Sequence, residues 1–182
     1  SVPVKPEIIF RGMQAGFTGQ TPVMHDTVMQ AVMMAFQVRM MGVQHQKDSA
    51  AGLENQKAGE EFMTANKGKD GVKTTASGLQ YKVIKEGSGA HPKATSTVTV
   101  HYKGTLADGK EFDSSYKRGE PTSFPLNRVI PCWTEGVQRM KPGGKAKLTC
   151  PPAIAYGAAG AGGVIPPNAT LNFEIELISV GR

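Results

Sequence analysis

Cysteine is scarce: the 182 residues include two, Cys132 and Cys150. So few exclude the disulfide framework on which small secreted domains depend, and the apolar residues around both predict packed thiols. Uninterrupted apolar runs of the roughly 20 residues that a membrane span needs are also lacking, so no spanning helix is expected. The formal charge is +6, yet no block of basic residues is interleaved with aromatics, which argues against nucleic-acid binding. The excess sits in residues 76–182, with 13 Lys and Arg against 8 Asp and Glu, while residues 1–75 hold 8 against 7. Spread along that half, it reads as a solvated basic face. The chain begins at Ser1 without an initiator Met or a signal-peptide start. A processed or truncated chain is expected, with any export signal or lipid anchor removed.

What is present falls into two halves. A length of 182 residues at 39% hydrophobic supports one good core and a second small element. In the first half, Phe10, Met13 and Phe17 follow Pro6 at helical spacing and predict a short amphipathic helix over 6–17. Thr21-Pro22 then opens a second helix, Thr as cap and Pro where its missing N–H costs nothing. Met29, Met33, Phe36, Met40 and Val43 recur at steps of four and three along one seam, and Val32, Met34, Val38 and Met41 make the other side apolar too. A helix apolar nearly all round must be covered, and a second copy of the chain is the economical cover. Flexible, polarizable Met also suits a chaperone arm that grips varied apolar sequences. Burial in a homodimer is the favoured reading.

Residues 44–61 are polar, with Gly52 and Gly59 interrupting, and no proline stops the helix before Asn66. A polar helix of this kind predicts a solvent-bridged connection, about 65 Å long over 22–66 at about 1.5 Å per residue. The Gly-, Lys- and Thr-rich residues 67–75 are read as a linker. Beyond it the period changes to two, at Leu79, Tyr81 and Val83, at Val98, Val100 and Tyr102, at Ala146, Leu148 and Cys150, and at Leu171, Phe173, Ile175 and Leu177. Trp133, Val137 and Met140 lie at i, i+4 and i+7 and predict a short helix with one apolar face. The fold class is α+β: an antiparallel sheet curled around a short helix, preceded by an all-α arm with one long helix. The domains follow as 1–66, a linker at 67–75, and 76–182.

Four blocks occur in order: Val100-His101-Tyr102-Lys103-Gly104, Glu111-Phe112-Asp113-Ser114-Ser115, Val129-Ile130-Pro131-Cys132-Trp133, and Ala155-Tyr156-Gly157 with Val164-Ile165-Pro166-Pro167-Asn168-Ala169-Thr170-Leu171. Together they resemble the FKBP-type peptidyl-prolyl isomerases over residues 76–182, and the long Met-rich helix before them resembles the two-domain FkpA and macrophage-infectivity-potentiator type. The arm carries the resemblance more weakly, through Ala58-Gly59-Glu60 and Gly71-Val72-Lys73-Thr74.

The resemblance implies an enzyme that accelerates X-Pro isomerisation during protein folding, with chaperone action from a dimeric arm. It implies a hydrophobic cup walled by Tyr102, Phe112, Phe124, Val129, Ile130, Ile165 and Phe173 and floored by Trp133. Asp113 and Tyr156 form its polar rim, Tyr156 bonding the substrate carbonyl and Asp113 shaping the field. No metal, nucleophile or cofactor is required. Proline-containing and unfolded polypeptides and macrolides such as tacrolimus and rapamycin are the implied partners, and the implied location is periplasmic, outer-membrane, cell-surface or secreted. On spacing alone Tyr102, Phe112, Phe124 and Phe173 read as ordinary core rather than as a pocket, and the resemblance reverses that order. The other functional class is a protein-binding module that uses the cup or the Met-rich arm with little catalysis. Cys132 stands where the family commonly has Gly, at a predicted helix start that favours a thiolate, which leaves a reactive thiol as the alternative to packing.

Overall fold

The computed structural model describes residues 14, 17, 18 and 26–181, the side chains of residues 26–29, 31 and 43–47 excepted. The helix expected over 6–17 lies outside these residues apart from Gln14 and Phe17, which are helical together with Thr18. The Thr21-Pro22 helix start and the side chains of Met29 and Val43 lie outside them as well. The chain divides into two compact units, Ser1–Gln46 and Lys47–Arg182.

Helix α1, Asp26–Lys67, carries residues of both units. In the first unit Val32, Met33, Met34, Phe36, Val38, Met40 and Met41 are all exposed. No helix among the described residues is long and apolar enough to cross a membrane.

In the second unit the same helix behaves otherwise than its polarity predicts. Its covered residues, Asp48, Ala51, Gly52, Asn55, Gly59, Phe62, Met63 and Asn66, recur at steps of three and four and form one face. Asn55 Nδ2 donates to the Pro167 carbonyl at 2.9 Å, Gln80 Nε2 to the Met63 carbonyl at 2.8 Å, and Asn66 Nδ2 to Gln80 Oε1 at 2.9 Å. Gly59 lies against Thr170, where an added Cβ would overlap Thr170 Oγ1 and stand 3.1 Å from Thr170 Cβ. The glycines therefore do not interrupt the helix. They let it dock closely on the sheet module, so these turns are not a solvent bridge.

The expected linker is corrected in the same way. Val72–Thr74 forms strand β1, paired antiparallel with β2, Gln80–Lys85, through Val72↔Lys82 and Thr74↔Gln80. The compact unit thus begins at Lys47 rather than at residue 76.

The remaining strands are β3, Thr97–Leu106; β4, Glu111–Ser114; β5, Thr122–Pro125; β6, Lys145–Cys150; and β7, Leu171–Val180. The antiparallel sheet runs β1-β2-β6-β7-β3-β4, and β5 pairs with the first half of β3 while β4 pairs with the second. Alternation sends Val98, Val100 and Tyr102, then Leu171, Phe173, Ile175 and Leu177, into one core with Ala146, Leu148 and Cys150. Against that face packs helix α3, Pro131–Val137, with Trp133 and Val137 buried and Met140 buried just beyond its end. A second short helix, α2, covers Ser115–Arg118. Val83 departs from the expected alternation: the β2–β6 ladder is irregular between Val83 and Lys85, and Val83 is exposed with Ile84.

The packed-thiol reading of the cysteines is also corrected. Cys132, near the start of α3, and Cys150, at the end of β6, form a disulfide with Cα atoms 5.8 Å apart, and both are fully buried. The fold brings one helix start against one strand end across the core, so neither a reactive nor a free thiol is present at Cys132.

Candidate active site

A cavity of about 440 Å³ opens on the face of the sheet that α3 occupies, within the range of small-ligand sites. Trp133 is its base. Three rings meet the indole edge to face: Tyr102 at 5.1 Å, Phe124 at 5.2 Å and Phe173 at 5.2 Å, with interplanar angles of 82°, 60° and 88°. Phe112 extends the wall, its ring perpendicular to Phe173 at 5.7 Å. Trp133 Nε1 is buried and finds no acceptor among the described residues.

Each ring is fixed by its element. Tyr102 sits mid-strand in β3, where its N–H donates to Ser115 Oγ at 2.8 Å and its carbonyl accepts from the same hydroxyl at 3.2 Å. Ser115 is fully buried and also lies 2.9 Å from His101 Nδ1, so the start of α2 is clamped to β3 at the tyrosine. Phe112 comes from β4, which crosses Gly104 of β3. A Cβ at Gly104 would stand 2.6 Å from Phe112 Cζ and 3.1 Å from Phe173 Cε1, so only a residue without one admits both rings. Phe124 comes from β5. The 3-10 turn Leu126–Arg128 leads through Val129 and Ile130 into α3, anchored by the fully buried Leu126 and by Thr134 Oγ1, which donates to the Leu126 carbonyl at 2.5 Å.

One polar cluster stands on the rim. The Tyr102 hydroxyl donates to Asp113 Oδ2 at 2.5 Å, and Arg118 pairs with Asp113 Oδ1 while donating to the Tyr102 hydroxyl at 2.9 Å and to Thr122 Oγ1 at 3.2 Å. The Arg118 guanidinium also lies over the Tyr102 ring, 5.4 Å from its centroid. Burial pushes the Asp113 carboxyl up, but the Tyr102 hydroxyl and the Arg118 guanidinium outweigh it and hold the group below the ordinary aspartate value. Burial, then the Asp113 carboxylate, pushes the Tyr102 phenol above its ordinary value. The pair is thus neutral phenol beside ionised carboxylate. Tyr156, 40% exposed, closes the rim from between two 3-10 turns.

Of the residues expected at the cup, the structure brings together Tyr102, Phe112, Asp113, Phe124, Val129, Ile130, Trp133, Tyr156 and Phe173. Ile165 is not among the lining residues. It is buried in the core cluster that also holds Tyr102, Trp133 and Phe173, and its backbone pairs with Ala161. Sequence reasoning missed Arg118, Arg128 and Gly104. A glycine inside a period-two strand was a usable signal of close approach; the arginines carried none, since their proximity is tertiary.

Two concavities among the described residues are larger. One of about 710 Å³ is lined by Lys82, Lys103, Lys145 and Lys147 of the outer sheet face together with Phe62 and Asn66 of α1. The other, about 780 Å³, lies beside the docked helix and the Pro151–Ala153 segment. Neither assembles convergent aromatic faces, and the 440 Å³ cup is therefore the candidate.

Residues 88–178 match the model of the FKBP-type peptidyl-prolyl cis-trans isomerase, and residues 1–83 match the domain amino terminal to it. The chain is 50% identical over 175 residues to an FKBP-type isomerase FkpA of Aeromonas hydrophila, covering 96% of this chain and 65% of that protein. It spans somewhat less than two thirds of the length of the FkpA relatives it matches. It is 41% identical to the outer membrane protein MIP of Legionella longbeachae, covering all of this chain and 78% of that one. The crystal structure of FkpA from Escherichia coli superposes with a TM-score of 0.80 at 43% identity, over 98% of this chain and 83% of that one.

Proposed function

From a chain that belongs to the FKBP-type peptidyl-prolyl cis-trans isomerases, we propose an enzyme that isomerises X-Pro bonds in polypeptides, with the Trp133-floored cup as its site. The observation that carries this reading is the convergence of three aromatic rings on Trp133, with Phe112 extending the wall, beneath an ionised, internally bonded rim.

The chemistry needs no covalent step. An X-Pro amide turns over a barrier of roughly 18–20 kcal/mol because resonance gives its C–N bond double-bond character. Water stabilises the planar, charge-separated amide, so an apolar cup removes part of what holds it planar. The twisted amide is less polar and tolerates the cup better, which is differential binding of the transition state. A 10⁴-fold acceleration needs about 5.4 kcal/mol of such preference, within reach of burial and one or two hydrogen bonds. Tyr156 is assigned the bond to the substrate carbonyl. Asp113, kept ionised by Arg118 and Tyr102, polarises the ring edges that face the substrate.

Turnover of an X-Pro peptide by the intact chain, with and without tacrolimus, tests the reading. Acceleration abolished by the macrolide is expected. Macrolide binding without acceleration would leave the cup as a recognition site, the second reading.

The exposed Met-rich turns of α1 support a homodimer as the state in which that surface is covered, with chaperone action on unfolded clients. The buried disulfide supports an oxidising, extracytoplasmic location.

A further inference from the structure

The wall of the cup carries one charge that its neighbours do not balance. Asp113 is matched by Arg118. Arg128 lines the same cavity, is exposed, and has no carboxylate partner among the described residues. Its backbone is not free to drift: the Leu126–Arg128 turn is pinned by buried Leu126, whose N–H donates to the Ser96 carbonyl at 3.0 Å, and by the Thr134 hydroxyl. An arginine is charged at every working pH, and its fork of donors matches a carboxylate.

We propose that Arg128 is a specificity-determining residue, and that the cup selects prolines flanked by an acidic residue over those flanked by a basic one. The inference rests on the isomerase reading of the cup. A proline ring on Trp133 fills only part of a cavity of about 440 Å³, so a residue next to it in the peptide must lie against the lip. Arg128 is the one unpaired charge there. Apolar ring walls on its inner side weaken solvent screening, while its exposed side limits the gain to that of a surface pair, about twofold to fivefold for each charge.

The test uses the intact chain and peptides with Glu, Leu or Lys immediately before or immediately after proline. Turnover gives kcat/KM, and the fluorescence of Trp133, the single tryptophan, gives affinity without requiring turnover. At low salt a Glu-over-Lys preference of about fivefold is expected on at least one flank, shrinking at about 1 M salt. R128Q should remove the preference and R128E should invert it. Both substitute an exposed side chain, and unchanged unfolding midpoints check that the fold is kept. Equal handling of Glu and Lys, or an order that survives in R128Q and R128E, overturns the proposal. Absence of turnover with every peptide would remove the isomerase reading, yet the affinities would still decide the role of Arg128. Peptides that neither bind nor turn over overturn both.

Discussion

Cys132, one position before the tryptophan that floors the cup, and Cys150 tie the first turn of α3 to the last residue of β6. The two cysteines are 18 positions apart, and the loop they close holds all of that helix but Pro131. Cross-linking a loop of this size removes unfolded-state entropy equivalent to about 3 kcal/mol.

The double variant Cys132→Ala with Cys150→Ala should therefore lower unfolding free energy by about 3 kcal/mol, read by denaturant titration. Thiol titration of the unfolded wild-type chain should find none without reductant and two with it. Two thiols without reductant would show that the bridge is absent, and equal stabilities would show that it contributes nothing.

The rim gives a signed pH dependence. Asp113 has its folded pKa depressed, so its contribution is present above the ordinary value of 3.8 and is lost as pH falls through the lower folded value. Tyr102 has its folded pKa raised, so its contribution is present below the ordinary value of 10.0 and is lost only as pH rises through the higher folded value. Between these limits kcat/KM should be flat. In Arg118→Leu the acid limb should move to higher pH, because burial then opposes ionisation of Asp113 with one fewer partner. An acid limb at the same pH in both proteins would refute the coupling.

Asp113→Leu should lower kcat/KM by on the order of tenfold, one bond to an ionised group. Tyr102→Phe combined with Asp113→Leu should lose less than the two single losses together, since the hydroxyl and carboxylate bond each other. Strict additivity in this cycle would show that they act independently.

Gly59 faces Thr170, whose side chain is almost fully buried, with no room for a Cβ. Gly59→Val should cost roughly 1–3 kcal/mol as an overpacked contact, and should raise hydrogen exchange in the docked turns of α1 before that of the central strands. Thr170→Ala placed in the same chain should restore part of the loss by clearing the hydroxyl. No rescue would mean that the valine acts through helix propensity alone.

These contacts mark where the sequence was legible. Strands β3, β6 and β7 declared themselves because one face of each is buried, so apolar residues alternate from Val98 to Tyr102, Ala146 to Cys150 and Leu171 to Leu177, although Thr149 on the other face of β6 is buried as well. Strands β1, β4 and β5, of three or four residues, are too short for a period to show. The docked face of α1 was read as solvent-facing because its covered residues are mostly small or polar, Gly52, Asn55, Gly59 and Asn66 among them, and close approach leaves no apolar stripe. Most of the cup could be placed through its four motif blocks. Ile165 was placed there through its motif block; it is buried in the core cluster that holds Tyr102, Trp133 and Phe173 but is not among the residues that line the cavity. Pairing of Cys132 with Cys150 and of Arg118 with Asp113 depends on how strands and helices meet, which no local pattern encodes.

The Met-rich turns of α1 give the last test. Met33 and Met40 are 53% and 45% exposed, and seven spacings apart they share one side of the helix. Burial of such a side against a second copy removes apolar surface from water at about 25 cal/mol per Å². Charges there would have to be desolvated on association. Met33→Glu with Met40→Glu should convert a dimer into a monomer by light scattering at micromolar concentration, leave turnover of a short X-Pro peptide unchanged, and reduce the refolding of a proline-limited protein. A wild-type chain already monomeric at that concentration would refute the dimer. A dimer that survives both substitutions would place its interface on another face of the helix or outside it.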